Sequence, residues 1–389
     1  MICIKTHFTF HRIFLLAVGL WPYQQSWLVQ IQLILFFSIL ISFIVFELTI
    51  FISEECTLDF VIRVLSIVLL LVMYTIEYNS CRVNLQVIRS LFEQLQHICN
   101  ELRDENEIAI IERYGNNVKR FTAILLLIFI CGTVIVFFIP IFPLILAINV
   151  TTQPRLMQEL IPKYLIDEQG HIYLLLYMYA AAAIGATALV GTGVLLLSYA
   201  TYICGIFRIA SYRIEKALTI KMPANFGLKN EIIICKQISN AVDIHRKAIK
   251  FCLFLLYSFQ KSHVFVIAVA VLGLSLNLYS IAVNIHEDNT EQLVLHFIIA
   301  AIIFTYLFLA NYAGQEIINH NNHIFSTAYC VQWYFAPVPV QKLILFLLLR
   351  GNKPVKLNFA GTFSLSLEFF ATLTKASISY FTVMYSMQE

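Results

Sequence analysis

Seven long apolar runs, separated by charged stretches, decide most of what this chain can become. They cover roughly 32–52, 60–78, 121–149, 172–207, 263–283, 294–314 and 363–385. About 20 apolar residues in helical form match the hydrocarbon core of a bilayer. The whole chain is 60% hydrophobic and only 13% charged, whereas a soluble domain holds about 25% charged residues. A soluble fold would have too little polar surface to cover such a core. The expected fold class is therefore all-α: a polytopic membrane protein with seven transmembrane helices. The third and fourth runs exceed the crossing length, which implies tilt or extension beyond the bilayer. A further run, 343–349, is too short to cross and reads as a buried or interfacial helix ahead of the seventh span.

Basic residues give the orientation, because Lys and Arg concentrate on the cytoplasmic side. Of 26 Lys and Arg, two lie in the N-terminal stretch, six in the second loop, nine in the fourth and four in the sixth. The opposite side has only Arg155 and Lys163, both in the third loop; Arg63, Lys261 and Lys375 lie within or beside spans. The N-terminus is thus expected inside and the C-terminus outside. The first and fifth loops agree, with Glu54, Glu55 and Asp59 in one and Glu287, Asp288 and Glu291 in the other. The sequon Asn149-Val150-Thr151 falls in an outside loop, which makes Asn149 a candidate glycosylation site. Lys5 and Arg12 precede a short apolar stretch that ends in Trp21-Pro22-Tyr23. That ending does not fit a cleavable signal. It fits a short helix lying at the inner interface.

The inside loops carry helical spacing: Ile108, Ile111 and Val118 in one, Ile232, Cys235, Ile238 and Val242 in another. They read as extensions of the spans that pack together below the membrane, with a turn at 222–227. The fourth span is rich in small residues from Tyr179 to Gly193. Such a face lets helices approach closely in lipid. It also leaves room for a ligand.

Enzyme chemistry finds little footing. HExxH, GxSxG and P-loop patterns are all missing from the sequence. Nine cysteines at irregular spacing suggest neither a disulfide framework nor a zinc site. His320 and His323 form an i, i+3 pair without an evident third ligand, so no metal and no cofactor are expected. A net charge of +3 gives no reason to expect nucleic acid. Glu47, Arg63 and Glu77 are expected near span ends, within reach of water. Lys375, in the seventh span, is the ionisable residue best placed to line a water-filled path.

The seventh span itself has two faces. Thr372, Ala376, Ser379, Val383 and Ser386 form a small and polar stripe, with Met387 beside its end. Phe369, Phe370, Leu373, Phe381 and Met384 lie opposite. Copies of the stripe around a symmetry axis could enclose water, and a small hydrophobic group at the narrow point gates by dewetting. The same stripe could serve as a packing face.

The stretch 373–386, Leu-Thr-Lys-Ala-Ser-Ile-Ser-Tyr-Phe-Thr-Val-Met-Tyr-Ser, resembles the C-terminal signature of insect odorant receptors. So do 326–329, Trp333, Leu348-Leu349-Arg350, Lys353-Pro354 and Ala360-Gly361, and at the other end Gly19-Leu20-Trp21-Pro22. The resemblance implies a ligand-gated, non-selective cation channel. Four subunits surround one pore, and a tuning receptor assembles with a shared co-receptor in the membrane of a sensory neuron dendrite. It carries the gate onto Val383 and the neighbouring pore positions onto Ser386 and Met387, with Ser379 on the same stripe. The family's co-receptor has Gln and Leu where Ser386 and Met387 stand, and a long insertion between its fourth and fifth spans that is missing here. The chain therefore resembles a tuning receptor.

A gustatory-type receptor is similar but ends its last helix differently. A G-protein-coupled receptor would have the reverse orientation and Asp-Arg-Tyr and Asn-Pro-x-x-Tyr motifs, and a transporter would show inverted repeats. The resemblance divides the chain into an inside N-terminal segment (1–31), six spans with the ligand region (32–314), an inside anchor segment (315–358) and the pore helix with an outside tail (359–389). The expected partners are a small hydrophobic odorant, the co-receptor and membrane lipid. Pocket candidates in the outer half are Leu69 and Met73, Phe137, Phe138 and Ile141, Tyr173, Tyr177 and Met178, and Tyr279; each could equally be a packing residue.

Overall fold

The computed structural model describes residues 8–24, 26–53, 57–138, 168–218, 228–286, 290–351, 358–359 and 363–387. Ten α-helices run through them: α1 (Thr9–Ala17), α2 (Trp27–Ser53), α3 (Leu58–Val83), α4 (Leu85–Asn100), α5 (Glu105–Phe138), α6 (Glu168–Leu218), α7 (Leu228–His286), α8 (Thr290–Cys330), α9 (Val338–Gly351) and α10 (Leu367–Ser386). Among the described residues the architecture is all-helical apart from two antiparallel strands of two residues each, in which Asn358 faces Ser364 and Phe359 faces Phe363. The second strand leads into α10.

Six helices, α2, α3 and α5 to α8, are long and apolar enough to cross a membrane. The seventh expected span, α10, has 20 residues and so the right length. Its Thr372, Thr374, Lys375, Ser377, Ser379 and Thr382 dilute its hydropathy, which sets it apart from the other six.

Several helices outrun any bilayer. α6 has 51 residues, α7 59 and α8 41, or about 60–90 Å at about 1.5 Å per residue. Their surplus turns gather at the end of the bundle where Lys and Arg concentrate. There they pack with α1, α4 and α9 around one core that includes Leu91, Leu95, Ile111, Phe207, Ile238, Phe251, Ile324 and Ile344. The helical spacing seen at Ile111 and Ile238 thus belongs to continuous helices. The turn expected at 222–227 and most of the loop at 150–171 lie outside the described residues. The short run 343–349 falls within α9, which buries Val340, Ile344 and Leu347 in this core.

Polar contacts stitch the same end. Arg213 on α6 grips Glu107 on α5 with two bonds of 2.7 and 2.9 Å. Lys216 pairs with Asp104, and Lys247 reaches Glu101 at 2.6 Å. The hydrogen bond from Lys216 holds the Asp104 carboxyl below its usual range. His245 bonds Asn321 at 2.9 Å, and burial pushes its pKa down.

The helix ends follow from local chemistry. After α1, Gly19 turns the chain with φ +74°, a conformation that favours glycine. The Gly19 N–H donates to the Leu16 carbonyl at 3.1 Å and the Leu20 N–H to the Leu15 carbonyl at 2.7 Å. This pattern closes a helix with an apolar contact across the turn, and Leu15 and Leu20 are both fully buried. His11 on α1 bonds the Ser198 hydroxyl at 2.8 Å; burial lowers its pKa to about 4, so it sits there as a neutral ring. Thr57 caps α3 and Ser366 caps α10, each accepting from the backbone N–H three residues on.

Candidate ligand cavity

Towards the middle of the bundle the helices part around a cavity of about 1000 Å³. Helices α2, α3, α5, α6, α7 and α8 all line it, chiefly with aliphatic and aromatic side chains. Such a volume lies at the upper end for sites that hold small ligands.

The small residues of α6 make the room. Ala180, Ala183, Ala186, Val190 and Gly193 follow one another at steps of three and four and all face the cavity. A Cβ built on Gly193 would meet nothing within 4 Å. Gly185 does the opposite work: a Cβ there would lie 2.4 Å from Cδ2 of Tyr74 and 2.9 Å from its Cβ. One helix therefore does both things expected of its composition. It approaches α3 closely on one side and leaves open space on another.

One acid, Glu47, lines these apolar walls and another, Glu77, lies behind them, and neither reaches water as the sequence suggested. Glu47 is 1% exposed and Glu77 3%. The reason is length: α3 continues to Val83, and α2 packs Glu47 inward rather than towards its end. Glu77 is well served. The Tyr306 hydroxyl donates to its Oε1 at 2.5 Å, the Thr192 hydroxyl to its Oε2 at 3.4 Å, and His263 Nδ1 lies 3.8 Å away. Tyr306 and His263 also line the cavity. Glu47 lines it too, but neither of its carboxyl oxygens has a hydrogen-bond partner.

The sequence-derived pocket candidates scatter. Met178 lines the cavity. Met73 is fully buried in the core of the upper bundle, and Leu69 packs where α3 meets Gly273 of α7. Tyr177 shares a 2.6 Å hydrogen bond with Ser42 and sets its ring edge-on to Phe43 at 5.6 Å. Tyr173 is 75% exposed. Tyr279 donates to Asp59 at 2.5 Å and packs with Ile62 and Val283. Phe137 and Phe138 fall in the last turn of α5, while Ile141 and Asn149 lie outside the described residues. Sequence reasoning missed Tyr74, His263 and Tyr306 as lining residues. The acid in an otherwise apolar α2 was the one signal that could have pointed to Glu47.

α10 packs on α7 and α8 at the side of the bundle. Phe381, Met384 and Tyr385 pack against Ile62, Tyr279 and Val283, and the Ser377 hydroxyl donates to the Val271 carbonyl at 3.3 Å. Ser379, Val383, Ser386 and Met387 point away and are exposed on the single chain, as is Lys375. His320 and His323 of α8 are engaged separately: His320 with the Tyr114 hydroxyl at 2.8 Å, His323 with Arg208.

Residues 57–378 match the family described as 7tm odorant receptor. The chain belongs to that family. Odorant receptor 10 of Aedes albopictus is 28% identical over 115 residues; this match covers 29% of the chain and 30% of that relative's length. The fold agrees with a solved member. Olfactory receptor OR5 of Machilis hrabei, in complex with eugenol, superposes with a TM-score of 0.78 at 15% identity, covering 99% of this chain and 97% of that one. The same receptor in a second structure gives 0.78 at 13% identity. Membership of this family agrees with the six helices long and apolar enough to cross a membrane.

Proposed function

We propose that this odorant receptor is a tuning subunit: it binds a small, volatile, hydrophobic ligand in the cavity and gates a non-selective cation channel in a heterotetramer with the shared co-receptor. The observation that carries the reading is the apolar cavity between the helices, with room made where α6 is built of alanine and glycine. Burial of apolar ligand surface supplies most of the affinity in such a site, about 25 cal/mol per Å². The eugenol complex of OR5 from Machilis hrabei supports a ligand of this size and character.

In this reading the N-terminus and the basic end lie in the cytosol of a sensory neuron, and the C-terminus lies outside. Residues 315–358 help anchor the subunits, and α10 lines the pore. The exposed stripe of Ser379, Val383 and Ser386 supports that role, because a symmetric partner face is what would cover it. The pocket candidates off the cavity, Leu69, Met73, Tyr177 and Tyr279, then act as its supporting wall.

The test is electrical. Cells expressing this chain with the co-receptor should answer a panel of volatiles with a cation current that persists when G-protein signalling is blocked. A current that needs G-protein turnover, or one of equal size from this chain alone, would refute the heteromeric channel.

A further inference from the structure

We infer that Glu47 makes this receptor selective for amines: the ammonium group of a small aliphatic or aromatic amine pairs with the Glu47 carboxylate while its apolar body fills the cavity. This inference rests on the ligand-binding role proposed for the cavity and names the ligand class.

The argument begins with an imbalance. Glu47 is 1% exposed, is one of the residues that line the cavity, and has two buried carboxyl oxygens without a hydrogen-bond partner. A buried carboxyl without a donor is costly, and inside a membrane more so. Glu77 shows how this chain satisfies an acid it keeps for structure, with Tyr306, Thr192 and His263 around it. Nothing comparable is spent on Glu47.

The surroundings then choose among ligands. No Lys or Arg lines the cavity among the described residues, and its histidine, His263, sits beside Glu77. A cation entering the cavity therefore finds one acid with both oxygens unpartnered, which a turn of the Glu47 side chain brings to the cavity surface. An ammonium group brings charge and three donors to it, in a site where charged hydrogen bonds are stronger than in water. Phe43 and Tyr74 line the same cavity, and an aromatic ring attracts a cation that reaches its face. An alcohol brings a donor without charge, and a hydrocarbon brings neither. A carboxylic acid brings neither a positive charge nor a base to take up the Glu47 proton.

Phenethylamine, phenethyl alcohol and propylbenzene are matched probes that differ in the group offered to Glu47. With the co-receptor present, phenethylamine should act at a half-maximal concentration at least about tenfold lower than the other two. Glu47→Gln, nearly the same shape, should abolish that advantage and leave the alcohol response within about twofold. Glu47→Asp, which keeps the charge, should retain it. Equal potency of the three probes on the unmodified receptor, or an amine preference that survives Glu47→Gln, overturns the inference. If Glu47→Gln does not reach the surface, the comparison of probes on the unmodified receptor and on Glu47→Asp decides.

Thermal stability of the purified full chain in detergent separates this failure from failure of the channel role. Stabilisation by the amine but not the alcohol, lost in Glu47→Gln, upholds the site even when no probe evokes a current. In that case the channel reading is what fails. The absence of any amine-specific stabilisation overturns the site.

Discussion

At the scale of single residues, the cavity depends on where α6 lacks a side chain and where it cannot accept one. Gly185 is pressed against the root of the Tyr74 side chain, with Cβ and Cγ both 2.9 Å from an added methyl group. Atoms so near the backbone cannot swing away, so the helices must separate. Gly185→Ala should therefore cost about 1–3 kcal/mol through overpacking, despite the better helix propensity of alanine. The same change at Gly193, with open space around it, should leave stability unchanged or slightly raised. Melting temperatures of the two purified variants check this, and equal melting would show that α3 and α6 are looser than described. The composition of α6 made both properties legible in the sequence, but not which glycine served which. That depends on the rotation of one helix against its neighbours, which no local pattern encodes. The same limit explains why Met178 could be placed on the cavity wall while Tyr177, one residue away, turns to Ser42. It also explains why Tyr306 and His263, far apart in sequence, went unrecognised as partners of Glu77.

At the scale of elements, α10 is the helix whose two faces have different tasks. Its aromatic face is settled against α7 and α8, and Phe381 shares a cluster with Ile62, Tyr279 and Val283. Val383 is 57% exposed on the single chain, so its isopropyl group has no intramolecular work to do. If it narrows a pore, it keeps that constriction dry when closed. Val383→Ala should then raise the current without ligand or shift the reversal potential in mixed monovalent and calcium solutions, at matched surface expression. Phe381→Ala should instead reduce expression, since it leaves a cavity worth about 3–5 kcal/mol in a fully packed core and less at this half-buried site. The reverse outcome would mean that α10 presents the other face to the pore. Most helices were legible because apolar runs of crossing length are the strongest signal a sequence carries. Helix ends were less so. The exact ends did not follow from hydropathy, but the helical spacing at Ile108, Ile111, Ile238 and Val242 did signal extensions beyond the spans, and the backbone continues for many turns as α6, α7 and α8, tied by contacts such as Arg213 with Glu107.

At the scale of the whole molecule, two cores sit in two different solvents. The spans around the cavity present exposed Leu, Ile and Phe outward, including Ile124, Leu127, Phe265 and Phe304, a surface suited to hydrocarbon. The basic end buries an ordinary core and turns charged pairs outward, as a water-soluble bundle does. The helices that carry it are continuous with the spans, so a shift in the cavity would be felt at the basic end through rigid rods. The distribution of Lys and Arg, 21 on one side against Arg155 and Lys163 on the other, supports the proposed cytosolic placement of that end. An epitope tag placed after Glu389 should be stained on intact cells, and a tag placed before Met1 should be stained only after permeabilisation. Moving basic charge should matter as well. Neutralising Lys216 and Lys247 would remove their pairs with Asp104 and Glu101 and loosen the bundle, yet leave the tags where they are, because many other basic residues remain on that side. Surface staining of the N-terminal tag would invert the molecule. It would put α4 and α9 outside the cell and remove the basis for an intracellular assembly of subunits.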